Sequence, residues 1–130
     1  MSKSKTGFFH TAVLILFILY LAFIGFLYYA NISPSAKIPK SMLGFATDKV
    51  AHFCMFLPYP FLAHGSFKGK RKWRNLVFVI LSGIMLAFAL ELTQEKLAPY
   101  RSTDPWDLVY NMAAITISST LLAIIDLFRK

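Results

Sequence analysis

The sequence predicts an all-α membrane protein, a bundle of four transmembrane helices that forms a single domain over residues 1–130. Of the 130 residues, 57% are hydrophobic and only 15% are charged, whereas soluble domains have about 45–50% apolar and about 25% charged residues. The apolar residues also form continuous stretches, without the two-residue alternation of a membrane β-barrel. The single cysteine, Cys54, excludes an intramolecular disulfide.

Four apolar stretches define the predicted helices, which cover residues 8–30, 50–67, 75–94 and 108–128. Each stretch is long enough to cross a hydrocarbon layer about 30 Å thick. The first exceeds the apolar core of a signal peptide, which has about 7–15 residues, so we expect a retained helix. Tyr28 and Tyr29 near its end fit an aromatic belt at the membrane interface. Residues 33–39 are the only extended linker that we predict.

Basic residues are concentrated at one end of the predicted bundle. Nine of the 14 lysines and arginines adjoin the termini or the connection between the second and third helices: Lys3, Lys5, Lys68, Lys70, Arg71, Lys72, Arg74, Arg129 and Lys130. The positive-inside rule therefore places both termini in the cytoplasm. Because these charges adjoin helix ends and do not form the stacking platform of interleaved aromatic and basic residues that nucleic-acid binding requires, we expect them to contact the lipid bilayer, with no nucleic-acid partner.

Acidic residues are concentrated at the opposite, outer end. Five of the six lie at the outer ends of the second, third and fourth helices: Asp48, Glu91, Glu95, Asp104 and Asp107. Ionisable groups within a membrane span are costly, and they usually face the interior of the bundle or a wet cavity. This segregation is the strongest functional signal in the sequence.

The start of the second helix carries a candidate acid–base pair. Asp48 and His52 are four residues apart and therefore share a helix face, with Lys49 beside them. A carboxylate next to an imidazole suits acid–base catalysis, and Glu91 is the third candidate catalytic residue. The alternatives are that Asp48 caps the helix and that Glu91 belongs to a buried structural salt bridge, with Arg101 or Lys49 as its partner.

Polar residues at the start of the fourth helix extend this candidate site. Pro105 suits the first helical turn, so we predict Asp104 as the N-cap and Asp107 as the acid of a capping box. Capping does not account for Asn111, one turn further along the same stripe. We expect an outward-facing polar cup whose substrate-binding residues are Lys49, Gln94, Arg101, Asp104, Asp107 and Asn111.

Two kinds of ligand suit this cup. Lys49 and Arg101 could hold an anionic headgroup, such as a lipid phosphate, by charge-assisted hydrogen bonds. Alternatively, the cup could hold a divalent cation such as Mg²⁺, Ca²⁺ or Mn²⁺, which prefer oxygen-rich ligand sets. The metal ligands would then be His52, Glu91, Asp104 and Asp107.

Three motifs occur in a characteristic order between about residues 40 and 125. They comprise Asp48, Lys49, His52 and Phe53, then Glu91 and Gln94, then Arg101, Asp104, Asp107 and Asn111. This order resembles the VanZ-like family of small bacterial membrane proteins. One departure is Ala114, where the family usually has a glycine. The resemblance implies a multi-pass protein of the bacterial cytoplasmic membrane, in a family named after a member linked to teicoplanin resistance.

Two classes of function follow from these observations. The first is a membrane-embedded enzyme or lipid-handling protein of the cell envelope, which binds an anionic envelope lipid in the polar cup. The second is a non-catalytic scaffold or partner subunit, in a homo-oligomer or with another membrane protein, in which the polar residues are structural. The sequence leaves enzymatic activity open. A transporter is disfavoured because we expect neither a broken helix nor an inverted repeat.

Overall fold

Five α-helices and one small β-ribbon make up the described part of the chain, which covers residues 3–29, 41–42, 44–66, 72–97 and 104–129 of a computed structural model. In chain order the elements are α1 Lys3–Tyr29, β1 Ser41–Met42, β2 Phe45–Ala46, α2 Thr47–Phe56, α3 Tyr59–Gly65, α4 Lys72–Leu97 and α5 Pro105–Phe128. The two strands are antiparallel. The predicted linker at 33–39 and the candidate site residue Arg101 lie outside the described residues.

Three of the helices are long and apolar enough to cross a membrane. Their apolar segments are Lys5–Tyr29 in α1, Trp73–Leu97 in α4 and Pro105–Phe128 in α5. Large hydrophobic side chains such as Phe26, Met85 and Ile117 are exposed on these helices. Such surfaces suit a lipid environment, in which helices satisfy their own backbone hydrogen bonds. The prediction is therefore confirmed in part: the described chain is helical, and three of its helices could span a membrane.

The second predicted helix, residues 50–67, is divided in two. α2 ends at Phe56 and α3 begins at Tyr59, with Pro58 between them. Proline has no backbone N–H, and its ring clashes with the preceding helical turn, so a regular helix is interrupted there. The expectation that the chain has no broken helix is therefore wrong, and this reason for disfavouring a transporter no longer holds.

Neighbouring helices bind the backbone carbonyl groups at this break. Ser118 of α5 donates a hydrogen bond of 2.6 Å to the carbonyl oxygen of Leu57. Tyr20 of α1 donates one to the carbonyl oxygen of Met55. Unsatisfied backbone groups are costly in an apolar environment, and these side chains supply partners from both sides of the break.

α2 and α3 pack against successive parts of α5. His52 Nε2 of α2 lies 3.4 Å from Asp107 Oδ2, and His64 Nε2 of α3 lies 3.3 Å from Asp126 Oδ2. The two aspartates are 19 residues apart in the sequence, which corresponds to about 28 Å along a helix. The broken α2–α3 segment therefore follows α5 over most of its length.

Small residues allow the helices to approach closely in the core. A Cβ atom added at Gly83 of α4 would lie 2.9 Å from Tyr59 Cε1 and 3.3 Å from Ile115 Cδ1. The surrounding core contains Phe56 and Val79, which are fully buried. Gly83 therefore lies where α3 and α5 both approach α4 closely, and its missing side chain leaves room for Tyr59 and Ile115.

Candidate functional site

Polar side chains from four helices converge at one end of the bundle. They come from the last turn of α1, from α2, from the later part of α4 and from the start of α5. We call this group the polar cluster, and it consists of Tyr28, Lys49, His52, Glu91, Gln94, Asp104, Asp107 and Asn111. Asn111 is 0% exposed, Gln94 2% and Asp107 3%, so the centre of the cluster lies inside the bundle.

The hydroxyl group of Tyr28 is at the centre of this cluster. It donates a hydrogen bond of 2.9 Å to Glu91 Oε1 and accepts one of 2.6 Å from Asn111 Nδ2. His52 Nδ1 lies 3.0 Å from the same oxygen. Because a hydroxyl has one hydrogen and two lone pairs, its contact with His52 is attractive when Nδ1 carries a proton and donates it. This role is not apparent from the sequence, since a tyrosine near a helix end also fits the interfacial belt.

His52 lies between the buried carboxyl group of Asp107 and the partly buried carboxyl group of Glu91. Its Nδ1 is 3.5 Å from Glu91 Oε1, and its Nε2 is 3.4 Å from Asp107 Oδ2. Asp48, the predicted partner of His52, is exposed and accepts a hydrogen bond of 3.1 Å from Lys49 instead. The structure thus corrects the predicted pairing of Asp48 with His52. Asp48 lies in the exposed first turn of α2, where its carboxylate pairs with the ammonium group of Lys49 and stays in contact with solvent.

Lys49 is surrounded by carboxylates. Its ammonium group donates to Asp48 at 3.1 Å, to Asp104 at 3.0 Å and also to Asp107. Burial alone would lower the pKa of Lys49, but these hydrogen bonds, chiefly those to Asp107 and Asp104, raise it above its usual value. Lys49 is thus paired with three acids in this structure, and its role in binding an anionic headgroup stays a prediction.

The predicted N-cap of the last helix is confirmed. Asp104 has an extended backbone, and its Oδ1 accepts a hydrogen bond of 3.0 Å from the backbone N–H of Trp106. This bond and the nearby Lys49 lower the pKa of Asp104. Asp107, the predicted second member of the capping box, turns inward to Lys49 and His52, so Asp104 and Asp107 have different roles.

Two buried amide groups complete the cluster. Gln94 Nε2 donates to the backbone carbonyl of Tyr28 at 3.0 Å, and Asn111 Nδ2 also lies 3.2 Å from Glu91 Oε1. Among the described residues, neither Gln94 Oε1 nor Asn111 Oδ1 has a hydrogen-bond partner. Leaving a buried acceptor unpaired costs about 1–3 kcal/mol, so these two oxygens are candidate ligand-binding atoms.

The cluster and its rim are acidic. The carboxyl groups of Asp48, Asp104 and Asp107 contact the ammonium group of Lys49, and the carboxyl group of Glu91 lies beside His52. Ligand atoms of His52, Glu91 and Asp107 all lie within 4.8 Å of one another. These three belong to the predicted metal-ligand set, whereas the fourth, Asp104, is half-exposed and occupied by Lys49 and the helix cap. The arrangement therefore favours a cation over a free anion.

The fold and the cluster define a small helical membrane protein with a buried carboxylate–imidazole site at one end of its helices. No protein-family profile, no curated protein and no solved structure matches this chain. Its likeness to the VanZ-like family thus rests on the sequence motifs alone. Most of the residues in those motifs meet in the polar cluster, although Asp48 lies on its rim.

Proposed function

We propose that this chain crosses the bacterial cytoplasmic membrane four times, with both termini in the cytoplasm and the polar cluster at the outer end. α2 and α3 together would supply the fourth crossing. Their path along α5 supports this count, because the distance of about 28 Å between Asp107 and Asp126 approaches the thickness of the hydrocarbon layer, about 30 Å. The basic segment at 68–74 supports the orientation.

Labelling of single cysteines tests this topology. Four crossings put both termini on the same side, whereas three put them on opposite sides. In a Cys54→Ala background, we expect Ser4→Cys and Arg129→Cys to react with a membrane-impermeant maleimide only after the cells are permeabilised. Labelling of either terminus in intact cells would contradict the proposed arrangement.

We propose that the polar cluster binds the polar headgroup of a cell-envelope lipid. The observation that carries this proposal is the number of buried polar side chains at one end of the helices, which exceeds what helix capping requires. His52, Asp107 and Asn111 are all buried there, and intramembrane ionisable residues usually mark functional sites. The VanZ-like resemblance supports the same compartment and extends the proposal to a role in teicoplanin resistance.

Lipid retention by the purified chain tests headgroup binding. Native mass spectrometry would record adducts after incubation with equal amounts of phosphatidic acid, phosphatidylglycerol and phosphatidylcholine. We expect preferential retention of one anionic lipid by the wild type and its loss in Glu91→Gln. Glu95→Gln is the matched control, since it makes the same chemical change at an exposed position one turn away. Equal retention by all three proteins would contradict the proposal.

The resistance role has its own test. A glycopeptide-susceptible Gram-positive host would express the wild type, Glu91→Gln or Glu95→Gln at matched membrane levels. We expect the wild type and Glu95→Gln to raise the teicoplanin concentration that stops growth, and Glu91→Gln to leave it unchanged. If none of the proteins raises it, the link to resistance is refuted for this chain.

A structural scaffold is the second candidate function. The observation that favours it is the extent of internal pairing: the Tyr28 hydroxyl contacts three side chains, and Lys49 contacts three carboxylates. A scaffold predicts that Glu91→Gln lowers stability in detergent and accumulation in the membrane together. A binding site predicts that ligand retention is lost while the folded protein still accumulates.

A further inference from the structure

We propose that His52, Glu91 and Asp107, with the amide oxygen of Asn111, bind one divalent metal ion, and that this ion holds the phosphate of the lipid headgroup. The phosphate contact rests on the proposed headgroup binding, whereas the metal site stands on the geometry of the cluster. Mn²⁺ is the ion that best fits the donor set.

The three side chains have the spacing of a metal site. Their candidate ligand atoms lie within 4.8 Å of one another. A metal ion with bonds of about 2.1 Å holds opposite ligands about 4.2 Å apart, so small side-chain movements would bring all three into contact with one ion. The side chains come from α2, α4 and α5, three elements that pack together and fix their relative positions.

The contact between His52 and Asp107 also indicates a cation. When Nδ1 of His52 donates to Tyr28, Nε2 carries a lone pair and faces Asp107 Oδ2 at 3.4 Å. Two such acceptor atoms attract each other only through a shared proton or metal ion. Asp107 Oδ1 accepts from Lys49, which leaves Oδ2 directed toward the proposed ion.

Tyr28 supplies the support that a metal-binding histidine needs. Histidine ligands usually donate their second ring N–H to a neighbouring group, and this bond fixes the tautomer and the ring orientation. Here Nδ1 lies 3.0 Å from the Tyr28 hydroxyl, and the two rings are nearly perpendicular, at 86°. Nε2 is thereby set as the metal-binding nitrogen.

Asn111 provides an independent indication of a ligand. Its side chain is fully buried, and Oδ1 has no partner among the described residues. The other end of the same amide, Nδ2, lies 3.2 Å from Glu91 Oε1. A half-turn of the amide, which preserves its shape, brings the oxygen to this position beside Glu91. The amide oxygen then becomes a fourth metal ligand, while Nδ2 gives up its contacts with Tyr28 and Glu91 and takes the former place of Oδ1. Because this half-turn sets two oxygen acceptors side by side, it is favourable only with the ion bound between them.

The donor set selects the ion and its further partner. One imidazole, two carboxylates and one amide oxygen combine the nitrogen donor typical of transition metals with the oxygen donors that suit Mn²⁺. An ion with four protein ligands in an octahedral site retains two positions for other oxygens. Phosphate oxygens fill such positions readily, so the metal ion explains how an acidic cluster binds an anionic headgroup.

Titration with Mn²⁺ alone tests the metal site. The full chain, stripped of metals and purified in dodecyl maltoside, which contains no phosphate, would be titrated while electron paramagnetic resonance records free Mn²⁺. We expect one ion per chain and a spin-echo modulation from a directly bound imidazole nitrogen. Glu91→Gln should raise the Kd at least about tenfold, His52→Gln should abolish the nitrogen signal, and Glu95→Gln should change neither.

The result with the wild-type chain tests the metal site even when a variant does not fold. Absence of stoichiometric binding, or bound Mn²⁺ without an imidazole nitrogen, would overturn the metal site. The lipid-retention assay, repeated with Mn²⁺ and with a chelator, separates the two proposals. We expect lipid adducts with Mn²⁺ and their loss in the chelator, which removes any metal that the purified chain still carries. Metal binding without lipid adducts would refute the proposed headgroup binding and leave the metal site standing. Lipid adducts that persist in the chelator would refute the metal–phosphate contact.

Discussion

Replacement of Tyr28 by phenylalanine tests the centre of the polar cluster. The change removes one hydroxyl that contacts His52, Glu91 and Asn111 at 3.0, 2.9 and 2.6 Å, while the buried ring is kept. Hydrogen bonds between membrane helices contribute about 0.6 kcal/mol on average, and about 1.7 kcal/mol at most. Three such bonds predict that Tyr28→Phe lowers the free energy of unfolding by about 2 kcal/mol.

Tyr59→Phe is the matched control. Tyr59 is equally buried in the bundle, but its hydroxyl makes one hydrogen bond, of 2.8 Å, to Ser82. Ser82 in turn retains its own bond to the carbonyl oxygen of Val79, so we expect a loss of about 0.6 kcal/mol. Circular dichroism during titration of maltoside micelles with dodecyl sulfate measures both unfolding free energies. If Tyr28→Phe costs no more than Tyr59→Phe, the hydroxyl does not hold the cluster together.

Three further predictions concern packing, capping and charge. Gly83→Ala should destabilise the bundle by about 1–3 kcal/mol through overpacking. Gly25→Ala, whose new methyl group meets nothing within 4 Å, should be neutral or stabilising. Thermal unfolding of both variants checks this difference, and equal melting temperatures would contradict it. Asp104→Ala should destabilise the start of α5 through loss of the helix cap, and amide hydrogen exchange should then increase in the first turn of α5 but not in α4. Lys49→Met should lower the melting temperature by a constant amount between pH 5 and pH 9. The pKa of Lys49 is raised above 10.5, so the stability that its ammonium group contributes is present below that pH. The pKa of Asp104 is lowered below 3.8, so the stability that its carboxylate contributes is lost only as the pH falls through that lower value. A difference that disappears near pH 7 would refute the role of Lys49.

The sequence predicted the parts of the fold that depend on composition and local chemistry. Hydropathy located the three long helices, because the length of an apolar segment is set by the membrane itself. The N-cap at Asp104 followed from its position before Pro105, since capping involves only neighbouring residues. The convergence of Glu91, Asp107 and Asn111 followed from the segregation of polar residues at one end of the spans.

The remaining features depend on which side chains meet in three dimensions. Helical spacing placed Asp48 and His52 on one face, but spacing does not determine the direction of a carboxylate, and Asp48 turns to Lys49. The central position of Tyr28 needs the contact between α1 and α4, which no local pattern encodes. The break between α2 and α3 did have a local signal, since Pro58 and Pro60 lie within an otherwise apolar stretch.

The break at Pro58 also sets the rotational phase of two histidines. In an uninterrupted α-helix, residues 52 and 64 would point about 120° apart around the axis, because each residue advances the helix by about 100°. In this fold His52 and His64 both contact aspartates of the same helix, α5. The interruption at Pro58 lies between these two residues, so α2 and α3 need not keep the phase of one continuous helix, and each places its histidine beside α5. A variant in which α2 and α3 formed one continuous helix would therefore keep only one of the two histidine–aspartate contacts with α5.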